Sequence, residues 1–178
     1  MRALIISDIH GALEPVLKIE KLAEKADLVI CLGDVLYHGP RNDLPSSYNP
    51  KAVIPVMNSL STKIIAVRGN CDAEVDQMVL SFPILSTTAL VHIDGYTLTL
   101  SHGHIYSESQ LPPGAEIFLY GHTHIPVAKK ENGIIIFNPG SVSIPKGGYS
   151  ASYGLYEEGM LSVRRLEDDE IMMAVKLD

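Results

Sequence analysis

Two histidines stand two residues apart in Gly121-His122-Thr123-His124, directly after the apolar run Ile117-Phe118-Leu119-Tyr120. Neutral imidazole is the commonest metal-binding side chain, and two of them leave a divalent ion short of ligands. If the backbone stays extended past Gly121, residues two apart point to one side and both rings converge on one point. An isolated His-x-His is also an ordinary surface loop. The chemistry therefore depends on whether other segments supply the missing donors. Asp8-Ile9-His10-Gly11 sets a carboxylate and an imidazole at the same spacing, Gly33-Asp34 adds a carboxylate, Gly69-Asn70-Cys71-Asp72 adds an amide, and His102-Gly103-His104 adds further imidazole. Each of these follows a short apolar run.

Those runs are the elements that must position the donors. Ala3 to Ile6 reads as a strand, Leu13 to Lys25 as an amphipathic helix with Pro15 in its first turn, and Leu28 to Leu32 as a second buried strand. Strand, helix, strand at this length is a βαβ unit with parallel strands, so Asp8, His10 and Asp34 arrive at the same sheet edge. Residues 35–50 are too rich in proline and glycine for regular structure and read as a long loop over that edge. A helix over 52–60 and a strand over 63–67 then deliver Asn70. Beyond Met78 the texture turns to β. Asp94-Gly95 joins strands 88–93 and 96–100, Asn132-Gly133 precedes the strand 134–137, Glu158-Gly159 joins 153–156 and 161–163, and 171–175 closes the chain. The late strands have no crossover helices, which implies two packed sheets with helices outside.

Composition narrows the function. The chain has 178 residues, 46% hydrophobic and 20% charged, which fits one domain over 1–178. A formal charge of -7 argues against a duplex nucleic-acid groove or an anionic membrane surface. No apolar run approaches the ~20 residues of a membrane span, and the apolar run at the start is too short for a signal peptide. Cys31 and Cys71 are too far apart in sequence and context to suggest a disulfide framework. A reducing cytoplasm is the expected location, and the hairpin-rich second half leaves homo-oligomerisation open.

In order, Asp-x-His, Gly-Asp, Gly-Asn and the histidine stretches resemble the calcineurin-like metallophosphoesterase superfamily. The resemblance spans essentially the whole chain and is strongest to small bacterial phosphodiesterases of the YfcE type, through residues 38–42, 67–72 and 137–148. It implies a four-layer αββα sandwich, two mixed sheets flanked by helices, that holds two divalent ions. It places Asp8, His10, Asp34 and His124 on one ion and Asp34, Asn70, His102 and His122 on the other, with Asp34 as the bridge. Nitrogen and oxygen donors without thiolate suit manganese, iron or zinc, with manganese put first. The implied reaction is hydrolysis of small phosphodiesters through a bridging hydroxide. A phosphomonoesterase, a pyrophosphohydrolase or a noncatalytic scaffold, as in the retromer subunit that resembles the family, are the alternatives. Arg41 is the candidate substrate contact. His104 reads as a surface residue beside the site and His92 as structural. Cys71 departs from the superfamily's Gly-Asn-His, whose histidine serves the leaving group. Cys71 and His38 are therefore the candidate catalytic residues.

Overall fold

The computed structural model describes residues 1–178. The strands are β1 (Arg2–Ile6), β2 (Leu28–Cys31), β3 (Ile64–Ala66), β4 (Thr88–Ile93), β5 (Tyr96–Ser101), β6 (Ile117–Leu119), β7 (Val127–Glu131), β8 (Ile134–Asn138), β9 (Ser152–Glu157), β10 (Met160–Arg165) and β11 (Ile171–Lys176). The helices are α1 (Leu13–Ala23), α2 (Pro50–Ser59) and the single turn α3 (Glu74–Gln77). The strand and helix assignments made from sequence hold to within a few residues. Helix α2 begins at Pro50 because Asn49 caps it, its side chain accepting from Ala52 N–H, and proline suits the first helical position. The turn α3 was not expected; four residues carry too little periodicity to see.

Six strands form one mixed sheet in the order β11-β10-β9-β1-β2-β3, and five form a second in the order β4-β5-β6-β8-β7. In the first, β1, β2 and β3 run parallel; in the second, β5, β6 and β8 do. The loops leaving six parallel strands therefore collect at strand ends, which is where the donor residues sit. Strand periodicity divides the core. Leu4 and Ile6 face α1 and α2 with Val16, Ile19, Val53 and Met57, whereas Ala3 and Ile5 face the second sheet with Leu98, Leu100, Leu119 and Phe137. Burial on both faces explains why β1 and β2 read as unbroken apolar runs.

The two mixed sheets and the α1/α2 layer are those the resemblance implied. Over the outer face of the second sheet, Phe118, Tyr120 and Ile136 are covered by Tyr106 and Leu111 from the segment between β5 and β6, where no helix forms. Proline 112, proline 113 and Gly114 keep that cover irregular.

Between the sheets, β9 carries Gly154 opposite Ile5, and a Cβ there would lie 2.7 Å from Phe137 Cε1 and 3.0 Å from Ile5 Cβ. Both neighbours are fully buried, so neither has room to move aside. Gly154→Ala is expected to lower stability by about 1–3 kcal/mol, as overpacking of a tight core does. Urea denaturation measures it, and an unchanged midpoint would show that the inter-sheet layer is looser than its contacts indicate.

Candidate metal centre

The centre is assembled around Asp8, which follows β1 and is fully buried. Its Oδ2 accepts from Ser7 Oγ at 2.7 Å and from the His122 backbone N–H at 2.9 Å. Its Oδ1 has no hydrogen-bond partner and lies 3.3 Å from His124 Nε2, 3.7 Å from His10 Nε2 and 4.0 Å from His102 Nε2. Asp34, after β2, accepts from Cys71 N–H through Oδ1 at 2.8 Å and turns Oδ2 toward His102 Nε2 at 3.4 Å and His10 Nε2 at 3.7 Å.

Three imidazoles are oriented by their far nitrogens. With Nδ1 protonated, His10 donates to Tyr37 O at 2.9 Å, His102 to Leu32 O at 2.6 Å and His124 to Ile144 O at 2.6 Å. Such bonds fix the ring and its tautomer, leaving the Nε2 lone pair to face inward. The Nε2 atoms of His10 and His124 then oppose each other at 3.2 Å, and His102 Nε2 faces Asn70 Oδ1 at 3.1 Å. A cation among these nitrogens, or protons on the rings, would supply what the partnerless carboxylate oxygen lacks. Asp8, His10 and His124 form one compact donor group and Asp8, Asp34 and His102 another. The residues thus fit a divalent metal on their donor chemistry.

The charges agree. Burial opposes the Asp8 carboxylate, yet the close imidazoles of His10, His124 and His102 hold its pKa well below the usual carboxylate range. Burial likewise opposes the His102 imidazolium, but Asp34 and Asp8 raise it to about 9, and His10 is raised by Asp8 in the same way. Asp34 is lowered, its desolvation outweighed by His102. His122 is lowered by burial and by the His102 charge. Burial and Asp34 push the Cys71 thiol up to about 12, so it stays protonated at neutral pH and is no thiolate nucleophile.

The backbone differs from the sequence expectation at the two-histidine stretch. His122 and His124 both have positive φ, 65° and 60°, so the chain is not extended there. Gly121 serves a close approach, since a Cβ would collide with Ser7 Oγ. His124 joins the compact donor group, whereas the His122 ring lines the cleft at 5.1 Å from the His102 ring, centroid to centroid. Asp8, His10 and Asp34 also have positive φ. Left-handed non-glycine backbone costs on the order of 1–3 kcal/mol per residue and persists only where its surroundings enforce it.

Those surroundings include residues without an assigned role in the sequence reading. Asp72, buried, accepts from Asp34 N–H and Gly69 N–H through Oδ2 and from Val35 N–H through Oδ1, tying the loops after β2 and β3. Ser141 and Ser143 both donate to Asp8 O, and Asn138 donates to Gly121 O. Their signal was available: Asn138-Pro139-Gly140-Ser141 is a polar cluster at a strand end, as were the donors themselves.

Of the remaining candidates, Arg41 and Cys71 line a cleft of about 30 Å³ with Asp34, Asn70, His122 and His124. Lys146, given no role from sequence, lines it too. The His38 ring packs edge-on against Tyr37 and Tyr48, outside that lining, while its carbonyl accepts from Asn42 Nδ2. His104 is exposed beside His102, and His92 pairs with Thr97 across the β4–β5 hairpin.

A two-sheet α/β fold here gathers carboxylates and imidazoles at strand ends into groups that could hold divalent metal. The chain belongs to the calcineurin-like phosphoesterase superfamily, a superfamily of phosphoester hydrolases, whose domain matches residues 1–159. It is 46% identical to Phosphodiesterase YfcE of Escherichia coli K12, over 100% of this chain and 99% of that protein. A solved structure of that phosphoesterase superposes with a TM-score of 0.97, covering 100% of both chains. A probable metallophosphoesterase of Bacillus subtilis, YsnB, is 30% identical over 87% of this chain and 83% of its own. Vacuolar Protein Sorting 29 from Cryptosporidium parvum, 20% identical, shares the fold with a TM-score of 0.67, covering 98% of this chain and 97% of its own.

Asp72→Ala leaves three buried backbone N–H groups without their acceptor. The variant is expected to lose at least about 2 kcal/mol of stability, because each unsatisfied buried donor costs roughly 1–3 kcal/mol. Glu74→Ala, exposed just after the same loop, serves as the comparison. Equal urea midpoints for the two would remove Asp72 from the framework.

Proposed function

We propose that this chain is a metal-dependent phosphodiesterase acting on small phosphodiesters, with residues 1–178 as one domain. The observation that carries the reading is Asp8 Oδ1, buried and partnerless, faced by three imidazole nitrogens whose rings are pinned from behind. Asp8, His10, Asp34 and His124 would hold one ion and Asp34, Asn70, His102 and His122 a second. Asp34 suits the shared position, since Oδ2 faces His10 and His102 at once. Manganese comes first by the resemblance, ahead of iron or zinc. When bound, the ions supply an acidified water as nucleophile and positive charge for the phosphoryl oxygens.

The chain's own residues do the rest. Arg41 and Lys146 line the cleft and offer cationic contacts to the phosphate, which the overall charge of -7 would otherwise repel. Cys71, protonated, sits at the rim as a weak donor to the leaving group. His38 reaches the reaction only if its ring leaves Tyr37 and Tyr48. The small cleft and the absence of a basic groove favour small diesters over duplex nucleic acid. No helix is long and apolar enough to cross a membrane, and the working location is the cytoplasm.

Metal analysis tests the centre. Purified protein is expected to bind close to two divalent ions per chain, Asp34→Asn to weaken both, and His10→Ala chiefly one. A single tight ion in the unmodified protein, or selective loss of the same ion in both variants, overturns the shared role of Asp34. Hydrolysis of bis(4-nitrophenyl) phosphate by the metal-loaded protein tests the activity.

Position 71 gives a directional test of the leaving-group assignment. A positioned general acid is worth typically ~10²–10⁴-fold, so Cys71→His is expected to raise rates most for alkyl leaving groups and least for nitrophenolate, at unchanged metal content. An equal factor for both classes would mean that position 71 does not protonate the leaving group.

A further inference from the structure

The metal cleft is small, and it does not end in solvent on every side. At Cys71 it adjoins a trough of about 380 Å³ whose walls are largely apolar, formed by Tyr37, Tyr48, Ile54, Val75 and Val79 with Cys71 itself. Cys71 lines both spaces. Its Sγ is held there by Asn70 Nδ2, which donates at 3.2 Å, and by close packing on Gly39. Tyr37, on the trough wall, also accepts from His10 Nδ1 through its carbonyl. Tyr37, Val75 and Val79 are exposed, an unfavourable arrangement for side chains with nothing to cover them.

From this juxtaposition we infer that the trough is a subsite for an apolar, aromatic ester arm of the substrate, so that the chain selects aryl-type diesters over those with short alkyl arms. The inference rests on the proposed phosphodiesterase reading, because the phosphate in the cleft is what anchors the arm. A cleft of about 30 Å³ has room for little beyond phosphoryl oxygens, and an ester substituent must leave it. The trough begins at the wall the two spaces share, and its volume falls in the range of roughly 300–1,000 Å³ that small-ligand sites occupy. Its tyrosine rings suit offset or edge contacts with a second ring. Solvent-exposed polar surface elsewhere on the cleft rim, at Arg41 and Lys146, offers no such contact to an apolar arm.

The test compares phenylphosphonate with methylphosphonate, which carry the same charged group and differ only in the arm. Calorimetric titration of the manganese-loaded protein is expected to show phenylphosphonate binding about tenfold tighter, the effect of covering roughly one face of a ring. In the double variant Val75→Asn/Val79→Asn that ratio should fall to about 1–2 while methylphosphonate affinity is kept. Equal affinities in the unmodified protein overturn the inference without any variant, and so does an unchanged ratio in a double variant that retains its thermal midpoint. Sedimentation showing a dimer in which a second copy covers Val75 and Val79, with no phenyl preference, also overturns it. If methylphosphonate binds and the phenyl preference is absent, only the subsite fails. If neither phosphonate nor inorganic phosphate binds the metal-loaded protein, the proposed function itself fails.

Discussion

A carboxylate with one oxygen satisfied and the other left bare, itself with no exposure to water, is the interaction on which the rest of this structure depends. Asp8 is ionised despite complete burial, and an isolated buried charge would cost many kcal/mol. Its compensation comes from three segments, those after β1, β5 and β6: Ser7 and the His122 N–H on one oxygen, and the imidazoles of His10, His102 and His124 around the other. These segments belong to both sheets, so the site exists only when the sheets are packed. The raised pKa values of His10 and His102 describe the same balance from the other side. Protons on those rings and a bound cation are alternative ways of supplying one counter-charge, which couples metal binding to proton release.

Holding these groups together strains the chain. Five candidate donor residues, Asp8, His10, Asp34, His122 and His124, occupy left-handed backbone, where glycine or asparagine would be the easy choice. The other non-glycine residues of this kind are Asp94, Asn132, Glu158 and Asp169; the first three precede a glycine in a tight turn, where positive φ is the turn's own requirement. At the centre, enforcement is tertiary. His10 N–H donates to Asp34 O, Asp72 gathers three N–H groups from the loops after β2 and β3, and Ser141 and Ser143 both donate to Asp8 O. A network of buried polar groups with nearly all partners present can sustain such strain because loosening any one loop exposes unmade bonds in the others.

The strands, the βαβ opening and the hairpins were legible because apolar runs and Asp-Gly, Asn-Gly and Glu-Gly pairs act locally. So were the candidate donors as residue types, whose positions after each run are a sequence property. What sequence hid was the way they are held. Asp72 looks like any acidic loop residue, and only the approach of the β2 and β3 loops turns it into an acceptor for three backbone groups. The expectation of extended backbone at His122 to His124 failed for a related reason: residues 141–144 fold back to reach both Asp8 and the His124 ring, and the chain bends to meet them. His38 sits beside Gly39-Pro40-Arg41 in sequence, yet Tyr48, ten residues on, takes its ring. The cover over Phe118 and Tyr120 escaped notice because irregular chain has no period.

The same limit applies to the trough beside Cys71, whose walls come from residues 36–37, 48–54 and 71–79. Its position gives the departure from Gly-Asn-His a second physical meaning. A thiol is a poor proton donor, but it is small and behaves as a hydrophobe, so at the seam between cleft and trough it continues the apolar wall to the edge of the candidate metal centre. An imidazole there is larger and polar, and Gly39 already packs against the sulfur with no space to spare. Gain of a donor and loss of apolar surface would thus act on the same atom position in opposite directions. For an alkyl leaving group the donor dominates, because the departing alkoxide needs a proton and makes little apolar contact. For an aryl group the balance reverses, since its oxygen leaves unaided and its ring is what the seam would hold. Cysteine at this position is therefore consistent with a site shaped around the arm of the substrate more than around the proton its leaving oxygen requires.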